Sequence, residues 1–95
     1  ALAAQGAGAF CVLMECVPVS LAREITQLLD VPTIGIGAGP DCDGQVLVVN
    51  DLLGLGTKAP PKFVRSYVQL HQTIDGAVRQ FQRDIQNGDF PNAKE

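Results

Sequence analysis

The apolar residues in the first half of the chain fall into short continuous runs separated by an amphipathic segment. Residues 10–15 form a run that is apolar up to its last residue, which is typical of a strand buried on both faces of a parallel sheet. Residues 19–29 carry apolar side chains at helical spacing with polar ones opposite, and this predicts a helix. Residues 33–37 form a second run. Together they predict a βαβ unit, whose crossover is almost always right-handed.

A third apolar run, residues 45–49, follows the segment 37–44, which is rich in glycine and turn-forming residues. A parallel crossover normally takes about a dozen residues or more, so this connection is short for one. Either a single tight turn replaces the usual helix, or the third strand runs antiparallel to its neighbour. We favour the parallel arrangement, because all three runs are apolar enough to be buried on both faces.

The second half of the chain has helical spacing. Residues 61–72, with Pro61 in the first turn, and residues 74–87 each carry a stripe of apolar positions, so we expect two helices. Gly88 and Pro91 end the second one. Three strands and these helices leave both edges of the sheet open, and long apolar edges promote aggregation. The pattern therefore implies partner strands, from the rest of a barrel or from another copy of the chain.

Composition narrows the class of protein. With 95 residues the chain fits one domain at most, and its 46% hydrophobic and 18% charged residues exclude disorder. No apolar run approaches the roughly 20 residues of a membrane-spanning helix. A net charge of −3 with seven Lys and Arg argues against nucleic-acid binding. We expect a cytoplasmic chain. Its first residues resemble the end of a helix closed by Gly6 or Gly8, which suggests the C-terminal part of something larger.

Three cysteines, Cys11, Cys16 and Cys42, are present in odd number and without Cys-x-x-Cys spacing. A zinc site needs soft ligands in close pairs, and a small disulfide-stabilised domain uses more cysteines in even number. We therefore expect three reduced, buried cysteines that contribute to packing.

Glu15 is the residue that most strongly suggests chemistry, because it ends the first apolar run. A carboxylate on a buried strand is costly unless it is hydrogen-bonded, paired or protonated. In α/β barrels, polar residues at the carboxyl ends of strands line the active site, where a carboxylate can serve as a general base. The alternative is a structural carboxylate that caps amides or pairs with an arginine. The pattern alone does not separate the two.

The glycines within residues 35–39 are followed by Pro40 and by no amphipathic helix, so they do not match the Gly-x-Gly-x-x-Gly fingerprint of a dinucleotide site. We expect Gly37 and Gly39 to allow close packing of the backbone or its contact with a ligand. Residues 41–44 lack the full ligand set of a calcium loop and indicate a turn.

Two further polar residues lie in the second half of the chain. Asp51 suits the cap of a short helix, and a catalytic role is the less favoured alternative. His71 lies on the apolar side of a predicted helix, which indicates a buried or interfacial residue rather than a metal ligand.

The chain resembles the ketopantoate hydroxymethyltransferases in a series of motifs that occur in the same order. These motifs are Leu13-Met14-Glu15-Cys16-Val17-Pro18, the segment 32–48 with Gly35-Ile36-Gly37-Ala38-Gly39, Pro61-Lys62-Phe63-Val64, and the ending Gly88-Asp89-Phe90-Pro91. The resemblance implies an α/β fold, the C-terminal part of a TIM (β/α)8 barrel of the phosphoenolpyruvate/pyruvate superfamily type. Residues 1–95 would supply its last three strands and two C-terminal helices.

The resemblance also implies a reaction. The family transfers a hydroxymethyl group from 5,10-methylenetetrahydrofolate to 3-methyl-2-oxobutanoate and so forms ketopantoate, on the route to pantothenate and coenzyme A. Magnesium (Mg2+) chelates the oxo acid, and a carboxylate base removes the proton next to the carbonyl group. Glu15 matches that base by motif. The backbone near Gly37 and Gly39 is a candidate contact for the substrate.

In the resembling family, two aspartates that bind magnesium, and a lysine and a histidine that contact the substrate, lie on earlier strands. We therefore expect no metal ligand in this chain and no catalysis by it alone. The expected partners are the N-terminal half of the same barrel and further copies, because bacterial relatives form large homo-oligomers such as decamers. We expect neither nucleic acid nor membrane as a partner. Two alternatives stay open, a non-catalytic half-barrel that only oligomerises and another superfamily barrel enzyme that acts on oxo acids.

Overall fold

The computed structural model describes residues 1–95, which divide into two compact units. The first unit contains Ala1–Val48 and Pro61–Val64, and the second contains Val49–Pro60 and Arg65–Glu95. Along the chain the elements are α1 (Leu2–Gly6), β1 (Val12–Glu15), α2 (Val19–Leu28), β2 (Thr33–Ile36), β3 (Gly44–Gln45), α3 (Val49–Leu52) and α4 (Leu70–Asn87). All three strands belong to the first unit.

The strands form one parallel sheet in the order β1-β2-β3. Val12 pairs with Thr33 at one end of the β1–β2 ladder, and Glu15 pairs with Ile36 at the other. The expected α/β character is confirmed, and so is the parallel direction of the third strand, because Gly44 pairs with Ile34 in a parallel register.

The third strand is much shorter than the expected run over residues 45–49. It contains only Gly44 and Gln45, and one more ladder bond joins the Val46 amide to the Gly35 carbonyl oxygen at 3.0 Å. The reason is that β2 ends at Ile36, where the chain turns away at Gly37 with a φ of +63°. Residues after Val46 have no strand beside them on that side.

Helix α2 packs against one face of the sheet. It begins after Pro18, whose ring holds the extended N-cap conformation with a φ of −53°. Ala22 and Ala38 are completely buried, so the helix and the loop after β2 approach the sheet at distances that only small side chains allow. This core consists of Met14, Ala22 and Ala38, with Val12, Val17, Ile25 and Cys42 packed around it.

The other face of β1 is uncovered in this chain. Leu13 is 57% exposed and Glu15 is exposed, while Met14 between them is buried. The prediction that the first strand is buried on both faces is therefore wrong for the chain as described. Helix α2 covers the only face against which this chain supplies a packing layer.

The expected helix over residues 61–72 is absent. Pro61–Val64 belong to the first unit, and in the second unit α4 runs without a break from Leu70 to Asn87. The amides of Tyr67, Leu70 and His71 donate to the carbonyl oxygens of Leu52, Leu53 and Gly54, at 2.8, 3.0 and 3.0 Å. These donors are thus occupied by the segment that follows α3. They cannot bond to the residues four positions earlier, as a helix would require.

Helix α4 carries the apolar stripe that the sequence predicts for residues 74–87, and it ends as expected. Gly88 has a φ of +76° at the C-cap, and its amide bonds to the Ile85 carbonyl oxygen. None of the residues of α4 is buried, and Phe81 is 50% exposed while its ring meets Phe90 edge to face. No helix of the structure has the length and apolarity needed to cross a membrane.

Gly76 and Gly88 offer a matched pair of substitutions in α4. A Cβ added at Gly76 meets no atom within 4 Å, so Gly76→Ala should stabilise the helix by about 0.5–1 kcal/mol. Gly88→Ala should destabilise by about 1 kcal/mol, because alanine opposes the left-handed C-cap. Urea unfolding followed by circular dichroism measures both. Equal effects of the two substitutions would contradict this account.

Candidate functional site

Glu15 and the glycine turn after β2 lie at the same edge of the sheet. Glu15 is the last residue of β1, and it pairs with Ile36, the last residue of β2. Because the strands are parallel, their carboxyl ends meet at one edge, where Gly37 and Cys16 follow immediately. Active sites of parallel α/β proteins lie at this edge.

The Glu15 side chain is exposed and has no hydrogen-bond partner in the chain. The predicted burial of this carboxylate is therefore not seen, since α2 covers the opposite face of β1. The alternative of a structural carboxylate that caps amides or pairs with an arginine is not seen either. Among the described residues, the carboxylate is free to act on a molecule placed at the strand ends.

A left-handed turn at Cys16 ends β1 directly after Glu15. Cys16 has a φ of +53° and is the only residue other than glycine with a positive φ. This conformation costs an L-residue about 1–2 kcal/mol. The neighbours explain it, because Pro18 is fixed by its ring and Val17, which precedes a proline, is confined to extended conformations. Cys16 alone can supply the turn.

Both ends of this turn are anchored. The Cys16 amide donates to the Ile36 carbonyl oxygen at 2.9 Å, and Val19, the first residue of α2, packs against Gly39. The hydrophobic pattern did not predict a turn at Cys16, although Val17-Pro18 directly after it indicate one. Because Val17 is confined to extended backbone and the φ of Pro18 is fixed, the residue before them makes the bend.

Gly37 and Gly39 allow close packing, as the sequence predicts. A Cβ at Gly37 would lie 2.8 Å from the Phe63 ring, and one at Gly39 would lie 2.7 Å from the Val19 side chain. Both positions have positive φ, +63° and +81°. Side chains therefore fill the space that each missing Cβ leaves. A contact of this backbone with substrate stays a prediction.

The two aspartates of the loop are occupied by contacts within the chain. Asp43 accepts bonds from the amide of buried Thr33 at 2.8 Å and from its hydroxyl at 3.1 Å. Asp41 pairs with the Arg23 guanidinium at 3.0 Å. Gln45 donates from Nε2 to the Gly39 carbonyl oxygen at 2.9 Å. The turn that the sequence predicts over residues 41–44 is thus present at residues 41–43, held by side-chain hydrogen bonds, and Gly44 already belongs to β3.

Asp51 and His71 lie in the second unit. Asp51 is in the first turn of α3, and its backbone carbonyl oxygen accepts a 2.8 Å bond from the Ser66 hydroxyl. His71 is half-buried, and its Nδ1 lies 2.9 Å from the Gly54 carbonyl oxygen. The imidazole thereby links the start of α4 to the segment after α3. The burial that the sequence predicts for His71 is partial.

The second unit also contains a cleft of about 240 Å³ that the sequence does not reveal. Its polar side chains come from Asn50, Asp51, Thr57, Lys58, Ser66, Gln69 and His71. The cleft is open, and no group of three or more His, Cys, Asp or Glu side chains that could hold a metal ion occurs there or elsewhere in the chain.

Comparison with known proteins gives a consistent result over the whole chain. The family model described as ketopantoate hydroxymethyltransferase matches residues 1–93. Proteins named 3-methyl-2-oxobutanoate hydroxymethyltransferase from Chlorobium luteolum and Bdellovibrio bacteriovorus are 53% and 54% identical over all 95 residues. One from Syntrophus aciditrophicus is 57% identical over 93% of the chain. The chain spans about a third of the length of these relatives, 34%, 36% and 32% respectively.

Gly39→Ala should destabilise the first unit by about 2–4 kcal/mol, because it combines a left-handed backbone with overlap on Val19. Gly6→Ala is the matched control, since no atom lies within 4 Å of its Cβ and its φ is not positive. Urea unfolding of both variants measures the difference. A Gly39→Ala protein as stable as the control would show that the loop can move away at little cost.

The two loop aspartates should differ in their contribution to stability. Asp43→Ala leaves the buried Thr33 amide without its acceptor and should cost about 1–3 kcal/mol. Asp41→Ala removes an ion pair whose arginine is 58% exposed, so the cost should stay below about 1 kcal/mol. The free energy of unfolding measured for each variant tests the ranking. The reverse order would contradict the anchoring role given to Asp43.

Proposed function

The chain belongs to the ketopantoate hydroxymethyltransferase family, and we propose that it supplies the general base of an enzyme that transfers a hydroxymethyl group to 3-methyl-2-oxobutanoate. The one-carbon donor in this proposal is 5,10-methylenetetrahydrofolate, and the product is ketopantoate. The relatives' names give the acceptor and the group transferred. The observation that carries the proposal is the free carboxylate of Glu15 at the carboxyl end of β1.

Glu15 acts on the hydrogen at C3 of the oxo acid, the carbon next to the carbonyl group. Its carboxylate takes this proton, and the electron pair of the C–H bond moves into an enolate. Water releases the one-carbon unit from the folate as formaldehyde, with both carbon–nitrogen bonds broken and tetrahydrofolate as the leaving group. The enolate carbon then attacks the formaldehyde carbon, and the electron pair of its C=O double bond moves to the oxygen, which takes up a proton and becomes the new hydroxyl group. A base for the removal of the C3 proton must reach the substrate directly. An uncommitted carboxylate at the strand ends meets that requirement better than Asp41 or Asp43, which are held by Arg23 and Thr33.

The residues of this chain do not fit the magnesium ion that the family implies. Mg2+ is held by carboxylates in a compact oxygen-rich site, whereas Asp41 and Asp43 are each engaged by a neighbour, and no group of three candidate ligands occurs. We therefore propose that the ligands come from the part of the barrel that corresponds to the remaining two thirds of the relatives. No step above is assigned to the metal.

The rest of a TIM barrel is the partner proposed for the uncovered face of the sheet. Leu13 and Phe10 are 57% and 85% exposed, and both edge strands have one unpaired side. Such surfaces are unfavourable in water and are normally covered. The apolar stripe of α4 is likewise exposed, which supports a homo-oligomer as the second proposed partner.

Replacement of Glu15 by Gln in the complete enzyme should lower the exchange of the C3 proton by about a hundredfold or more, because the amide cannot accept the proton. The exchange is followed in D2O by proton NMR, as the loss of the coupling between the C3 hydrogen and the two methyl groups. Without the folate, this signal reports proton removal alone. Glu15→Asp should retain part of the activity, because the carboxylate remains on a side chain that is one methylene group shorter.

Glu24→Gln is the matched control, since Glu24 is an exposed glutamate on α2. It should exchange the C3 proton at the parental rate. A folded Glu15→Gln enzyme that exchanges within about threefold of the parent would overturn the assignment. Exchange by Glu15→Gln at the parental rate together with loss of stability would instead favour a structural carboxylate.

A further inference from the structure

We infer that Cys16 is a positioning residue for Glu15, acting through its left-handed backbone and not through its thiol. The inference rests on the proposed function of Glu15 as the base. No hydrogen bond of the chain holds the Glu15 carboxylate, so its direction depends on the backbone on either side of it. On one side, Glu15 is fixed by its pairing with Ile36. On the other side, it is fixed by the turn at Cys16.

The turn at Cys16 decides where the chain goes after Glu15. An extended residue would prolong β1 past the carboxylate and bring Val17 and Pro18 across the strand ends. With a φ of +53°, the chain instead turns at once toward α2. The space in front of the carboxylate is therefore left open to a small molecule.

The conformation is enforced by contacts on both sides. The Cys16 amide donates to the Ile36 carbonyl oxygen at 2.9 Å. The Val19 side chain packs so closely on Gly39 that a Cβ at Gly39 would lie only 2.7 Å from it. Only Cys16, Val17 and Pro18 join these two fixed points. Since Val17 is confined to extended backbone and the ring fixes the φ of Pro18, a change at Cys16 must move Glu15, the start of α2, or both.

The thiol is not needed for this role. Cys16 is exposed, and no partner of its sulfur is found in the chain. A residue that accepts the left-handed conformation should therefore substitute for it, whereas a β-branched residue should not. Glycine accepts this conformation freely, and valine is among the residues that adopt it least.

The test compares Cys16→Val with Cys16→Gly in the complete enzyme. In Cys16→Val, kcat and C3 proton exchange should fall by about tenfold to a hundredfold, because a base displaced by about 1 Å loses that much. KM should change by less than about threefold, since substrate binding does not depend on this base. Cys16→Gly and Cys16→Ala should keep most of the parental kcat. Cys11→Val, the same replacement before β1, is the control and should leave kcat unchanged.

A folded Cys16→Val enzyme with parental kcat overturns the inference, and so does a Cys16→Ala enzyme as slow as Cys16→Val, which would assign the role to the thiol. If Cys16→Val does not fold, Pro18→Ala decides, because it releases the restraint on Val17 and leaves the thiol in place. A fall in exchange in Pro18→Ala supports the inference, and parental exchange overturns it. Exchange that persists in Glu15→Gln would show instead that the proposed function has failed.

Discussion

Two left-handed turns, at Cys16 and at Gly37, end the neighbouring strands β1 and β2 at the same level, and the candidate site depends on this alignment. The parallel register pairs Glu15 with Ile36, so the two turns stand side by side at one edge of the sheet. Each is fixed by packing or hydrogen bonding beyond the strand. The Cys16 amide bonds to Ile36, and the Phe63 ring occupies the space beside Gly37.

Side-chain hydrogen bonds explain how so short a segment joins the parallel strands β2 and β3. Such a connection usually contains a helix, whose own hydrogen bonds satisfy the backbone. Here side chains supply the bonds, since Asp43 accepts from the amide and hydroxyl of Thr33, and Gln45 reaches back to the Gly39 carbonyl oxygen. The left-handed glycines let the chain reverse within a few residues. Asp43, held at the amino end of β2, and Asp41, paired with Arg23, are therefore used for folding, whereas Glu15 at the carboxyl end of β1 has no partner.

The sequence predicted those parts of the fold in which a residue's conformation is set by its immediate neighbours. The positions of the first two strands, helix α2, the parallel order and the end of the last helix at Gly88 follow from local pattern. The helix predicted over residues 61–72 does not form, because the amides of Tyr67 and Leu70 donate to carbonyl oxygens distant in the sequence. The spacing of apolar residues contains no information about such bonds. The burial expected around Glu15 failed for a related reason. A run of apolar residues indicates that both faces of a strand are suited to burial. It does not indicate whether this chain supplies the residues that cover them.

The placement of Glu15 also depends on residues nearby in the sequence, whereas a metal site would need residues distant in the sequence. The position of the proposed base, Glu15, is set within a few residues, by the end of β1, the bend at Cys16 and the restricted pair Val17-Pro18. Metal ligation requires several groups, and this chain brings together no group of three or more His, Cys, Asp or Glu side chains. A carboxylate needs no assembled site to accept a proton, but it needs a fixed direction to do so on one carbon of one substrate. In the function proposed for Glu15, the left-handed turn beside it supplies that direction, so the proposed proton transfer depends on a segment that is local in the chain.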